Sequence, residues 1–84
     1  MIVETSAVLA ILYQEADAGD YARAIAEADS RQISAVNFVE AAVVVDRQGD
    51  LAASQMFDLF LRRAEISVEA VSEDQARVAR QAYY

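Results

Sequence analysis

Met1-Ile-Val-Glu-Thr-Ser-Ala-Val-Leu-Ala10 decides how this chain is read. A short apolar run ends in an acid, two hydroxyl residues follow, and apolar residues then recur at helical spacing through Leu12. That order predicts a buried strand at Ile2–Val3 that stops in a carboxylate and turns at once into a helix over 6–13. Thr5 or Ser6 is expected to cap that helix, because a hydroxyl oxygen accepts from the free N–H groups of a first turn. In open α/β sheets ligands bind outside the carboxyl ends of the strands. Glu4 therefore stands where a metal-holding or catalytic acid is expected. Its plain alternative is a strand-end carboxylate that stays in water.

The same arrangement recurs downstream. Ile33-Ser-Ala-Val-Asn-Phe-Val-Glu40 reads as a second strand over 31–34, with Ser34 capping a helix that starts at Ala35 and stops before Gly49. Glu40 lies among apolar residues on this helix, which is expected to be buried. A carboxylate there is costly unless it is hydrogen-bonded, paired or bound to a metal. Asn37, three residues earlier, shares its face. If the two strands are parallel neighbours, Glu4 and Glu40 converge on one edge of the sheet. The alternative for Glu40 is an ion pair with Arg47, Arg62 or Arg63.

Between these two stretches, a polar break over 14–20 precedes a helix over 20–28, with Tyr21, Ala24, Ile25 and Ala28 on one face. Asp50 is positioned to cap a helix over 51–64, whose Met56, Phe57, Leu59, Phe60 and Leu61 require more than one covered face. A third strand is expected over 66–71. Ser72-Glu-Asp-Gln75 then has the capping-box pattern of a fifth helix running to residue 84. The order β-α-α-β-α-α-β-α implies parallel strands joined by right-handed crossovers, an α/β fold in a single domain over 1–84.

Composition narrows the chemistry. Fourteen acids against seven bases give a net charge of −7, and every base is arginine. Such acidity argues against broad contact with nucleic acid through many cation–phosphate pairs, although a bound divalent cation reverses the local electrostatics. It also suits a basic protein partner. With no cysteine and no histidine, disulfides, zinc-thiolate sites and serine–histidine triads are excluded. No apolar run reaches the ~18 residues of a membrane span and no basic leader opens the chain, so a cytoplasmic protein is expected. Two carboxylates with hydroxyls and an amide nearby suit a hard cation, Mg²⁺ or Mn²⁺, which prefers oxygen ligands. Glu15, Asp17, Asp20, Glu27, Asp29, Glu73 and Asp74 lie in breaks or helix ends and are read as structural.

Together, the opening motif, the Ile33–Glu40 segment and the Gln75-Ala-Arg-Val-Ala-Arg-Gln-Ala-Tyr helix resemble the PIN-domain toxins of VapBC toxin–antitoxin modules. The resemblance implies a PIN-like three-layer fold and a cytoplasmic, Mg²⁺-dependent endoribonuclease, inhibited by a cognate antitoxin and usually dimeric. It implies that Glu4 and Glu40 are metal-binding acids, with Thr5, Ser6 and Asn37 in support. Two departures stand out. The family's first acid is normally aspartate, and its later acids follow a helix like the one that ends this sequence. The chain is thus expected to match the first two-thirds of such a domain, with the C-terminal strands missing. Its own activity is then weak or absent. The alternative function is a non-catalytic antitoxin-binding module. Leu12, Tyr13, Tyr21, Phe57, Phe60 and Leu61 are the apolar residues expected to reach a partner helix, and the Ile2–Val3 edge is expected to be left open to a homodimer or another polypeptide.

Overall fold

The computed structural model describes residues 1–82 and has the expected alternation: β1 (Ile2–Val3), α1 (Thr5–Leu12), α2 (Ala18–Glu27), β2 (Gln32–Ser34), α3 (Ala35–Arg47), α4 (Leu51–Arg63), β3 (Ser67–Glu69) and α5 (Glu73–Ala82). The three strands form one parallel sheet in the order β1-β2-β3. Val3 is opposite Ile33 and Ile33 opposite Val68, so these three point to one face, while Ile2, Gln32 and Ser67 point to the other. Among the described residues β2 is central and β1 is an edge.

One core holds the first face. Val3 and Ile33 pack with Ala7 and Val8 of α1, Ile25 of α2, Ala41 and Val45 of α3, Phe57 and Leu61 of α4, and Ile66. Phe38 and Phe57 stack at 5.7 Å. The opposite face looks into an open cleft of about 850 Å³, where Ile2, Gln32, Ser34 and Glu69 face Gln75, Val78 and Ala79 of α5. The layers are therefore helices, sheet and a single helix standing off from it.

Local chemistry sets the helix boundaries. Ser34 Oγ accepts from the Asn37 N–H at 3.1 Å, and Asp50 accepts from the N–H groups of Ala52 and Ala53. Ser72 and Gln75 bond reciprocally, at 2.9 and 3.1 Å. Helices α1 and α4 end alike. The N–H of Glu15 reaches back to Ala10 and that of Gln14 to Ile11; the N–H of Ile66 reaches Leu61 and that of Glu65 reaches Arg62. This double closure needs a left-handed residue, supplied by Gln14 (φ 52°) and Glu65 (φ 55°). After α3 the residue is Gly49 (φ 69°).

The sequence did not disclose the role of Arg31. Its guanidinium donates to the carbonyls of Ile25 (2.6 Å), Ala26 (3.2 Å) and Ala28 (3.3 Å) at the end of α2, and to Ala64 (2.8 Å) at the end of α4. One cation thus satisfies carbonyls left over at two helix C-termini, where the helix dipole favours positive charge.

Several expectations are corrected. The first helix starts at Thr5, and its N-cap is Glu4, which makes no side-chain capping bond; the Thr5 hydroxyl is engaged across the sheet instead. The second helix begins two residues earlier than expected, at Ala18. Helix α3 is not buried all round, since Val39 (55%), Val43 (40%) and Val44 (41%) are exposed. Phe57 and Leu61 belong to the core rather than to a partner surface. The third strand is shorter than its alternation suggests, because Ala70 and Val71 have left the ladder to line the cleft. The end of the predicted fifth helix, at Tyr83 and Tyr84, lies outside the described residues.

Candidate metal and active site

Both strand-to-helix junctions lie at the carboxyl edge of the sheet because β1 and β2 are parallel and paired in register. At the first, the Glu4 carbonyl accepts from the N–H groups of Ala7 and Val8, opening α1 while the Glu4 side chain stays exposed. At the second, Ser34 caps α3 and carries Asn37 and Glu40 along the helix toward the first junction.

Asn37 laces the two together. Its Oδ1 accepts from the Thr5 N–H at 3.3 Å and from the Thr5 hydroxyl at 2.7 Å; its Nδ2 donates to Ser34 Oγ at 3.1 Å. Thr5 is the first residue of α1, so its N–H has no acceptor within the helix. Asn37 provides from α3 the cap that Glu4 does not. Thr5 Oγ1 also lies 3.1 Å from the Asn37 carbonyl oxygen and 3.4 Å from Glu40 Oε2. The structure thus brings Thr5, Asn37 and half-buried Glu40 into direct contact, with Glu4 one residue away along the chain. Ser6 is not part of this network; it is exposed and, with Glu4, Tyr21 and Ile25, lines a separate cavity of about 170 Å³.

The network offers oxygen ligands, the Glu40 carboxylate, the Thr5 hydroxyl and the Asn37 amide carbonyl, with the exposed Glu4 carboxylate at the adjoining junction. The set fits a hard divalent cation in kind. Its number of charges is small, for among the described residues no three acids are grouped so as to hold a metal ion. Any cation held here would keep most of its shell as water or take ligands from elsewhere. Sequence reasoning found Asn37 as a neighbour of Glu40 through its spacing. It did not find that the Asn37 amide spans to Thr5, because no short-range pattern encodes a contact thirty-two residues apart.

The PIN-domain family model matches residues 1–84, and the chain belongs to that family. Over 83 residues it is 49% identical to "Ribonuclease VapC28" of Mycobacterium tuberculosis, 41% to "Ribonuclease VapC42" of the same species and 37% to "Ribonuclease VapC" of Mycolicibacterium smegmatis. Each comparison covers 99% of this chain and 62%, 63% and 64% of the respective relative. The chain is a VapC-like PIN domain that spans less than two thirds of the length of these relatives.

Proposed function

We propose that this chain serves as the toxin component of a toxin–antitoxin module, a Mg²⁺-dependent endoribonuclease acting in the cytoplasm, with Mn²⁺ able to replace Mg²⁺. Glu4 and Glu40 hold the cation, and Thr5 and Asn37 fix the geometry around them. The supporting observation is the Thr5–Asn37–Glu40 contact, which ties both acid-bearing junctions to one edge in a chain so similar to proteins named ribonucleases. A hard cation bound there supplies an activated water and neutralises charge developing on phosphate. It also allows an RNA backbone to approach a chain of net charge −7.

Activity of the 84 residues alone is expected to be weak. Glutamate at position 4 sets the carboxylate about one C–C bond, ~1.5 Å, further out than aspartate would, whereas productive geometry is held to roughly 0.5 Å. Two acids also leave the cation underliganded. These facts favour a second reading, a non-catalytic module that binds antitoxin, and the exposed Val39, Val43, Val44, Leu51 and Met56 offer apolar surface for a partner helix. Among the described residues the outer edge of β1 is unpaired, and it can take a further strand, from a second copy among other sources.

Incubation of a structured RNA with the purified chain, with Mg²⁺, with chelator, and as Glu40→Gln, tests the enzyme reading. The expected result is slow cleavage that disappears with chelator and in the variant. Cleavage that survives either treatment contradicts it. A complete lack of cleavage, with micromolar calorimetric binding to the product of the adjacent open reading frame, selects the binding module.

A further inference from the structure

The orientation of the Asn37 amide is fixed by its neighbours. The Thr5 backbone N–H can only donate, so the atom facing it at 3.3 Å must be the amide oxygen. The amide nitrogen then faces Ser34 Oγ. With Oδ1 turned toward Thr5, the 2.7 Å contact to Thr5 Oγ1 requires the hydroxyl to be the donor. A hydroxyl has one proton and two lone pairs. Both of its near acceptors, Oδ1 at 2.7 Å and the carbonyl at 3.1 Å, belong to Asn37, and Glu40 Oε2 is the furthest of the three at 3.4 Å. The proton goes to Asn37, and Thr5 Oγ1 keeps its lone pairs within 3.4 Å of Glu40 Oε2.

We propose that Asn37 is a positioning residue: by taking the Thr5 hydroxyl proton, it turns Thr5 Oγ1 into an oxygen ligand that works beside Glu40 on a divalent cation. This rests on the metal reading above and assigns a role within it to a side chain that does not itself touch the ion. A hydroxyl oxygen and a carboxylate oxygen 3.4 Å apart can serve one cation together, and ligands of this kind are oriented by their outer partners. Ser34 completes the support, because its Oγ accepts from both the Asn37 N–H and Nδ2 and so prevents the amide from turning over.

The test is Mn²⁺ affinity of the full chain, read from the paramagnetic resonance signal of free Mn²⁺, in the wild type, Glu40→Gln, Asn37→Leu, Thr5→Val and Thr5→Ser. Circular dichroism and an unfolding midpoint verify that each variant is folded. Asn37→Leu should weaken Mn²⁺ binding about tenfold. Thr5→Val should weaken it similarly, Thr5→Ser should keep wild-type affinity, and the Thr5→Val/Asn37→Leu double variant should be no weaker than Thr5→Val alone. A purely structural role would not distinguish serine from valine at position 5 in this way. Folded Asn37→Leu or Thr5→Val with wild-type affinity overturns the inference alone. Wild type that binds no better than Glu40→Gln overturns the metal reading, and this inference with it.

Discussion

Arg31 Nη1 donates to the Ala64 carbonyl at 2.8 Å, joining the start of β2 to the end of α4, while its other nitrogens close the end of α2. Hydrogen bonds from a charged donor contribute about 1.5–3 kcal/mol when well formed, and less where water competes. Arg31→Met should therefore lower the stability of the chain by about 2 kcal/mol in urea unfolding. Arg31→Lys should recover only part of that, since an ammonium lacks the planar fork that reaches four carbonyls. Equal stability of all three proteins would show that water replaces the clamp without loss.

The three left-handed helix ends make a matched set. Gly49 takes φ 69° without strain, and nothing lies within 4 Å of where its Cβ would be, so Gly49→Ala tests backbone conformation alone. It should cost about 1 kcal/mol. Gln14→Gly and Glu65→Gly should each stabilise by about 0.5 kcal/mol, the relief of strain being partly offset by the greater freedom of glycine in the unfolded chain. Thermal unfolding of the three variants decides it; a glycine at position 14 or 65 that destabilises would contradict the strain argument.

How much of this was legible beforehand depends on range. Ser34, Asp50 and the Ser72–Gln75 box cap their helices as their spacing foretold, because capping is decided within three or four residues. The strand-acid-helix order was equally local, and the parallel pairing of Ile2–Val3 with β2 followed from the alternation of elements. A local rule makes Thr5 or Ser6 the cap of the first helix, whereas in the fold a side chain from α3 provides the acceptor for the Thr5 hydroxyl. Nothing in the neighbours of Arg31 sets it apart from the other six arginines or says that two helix ends will meet there. The apolar sequence of α3 predicts a buried helix, yet Val39, Val43 and Val44 are exposed, because hydropathy reports what could be buried, not what is covered.

An open edge beside apolar surface has a measurable consequence. Ile2 is 72% exposed on a strand that is an edge among the described residues, and it borders the cleft beneath α5. Such edges template pairing with another chain, and an outward-pointing charge suppresses it. Light scattering after size exclusion should find the wild-type chain self-associated, and Ile2→Lys shifted toward a 9.2 kDa monomer. A monodisperse, cooperatively unfolding wild-type monomer would show that the edge needs no cover.

The central claim is that Glu4 and Glu40 hold one cation at the laced carboxyl edge of β1 and β2. Mn²⁺ titrated at low concentration into the ¹⁵N-labelled chain tests this most directly, because the paramagnetic ion broadens amide signals according to their distance from it. The account predicts that the amides of Glu4, Thr5, Asn37 and Glu40 broaden first and recover when Mg²⁺ is added in excess. Broadening centred on the acidic segments around Asp17 and Asp20 or Glu73 and Asp74, with the signals of Glu4 and Glu40 intact, would contradict it.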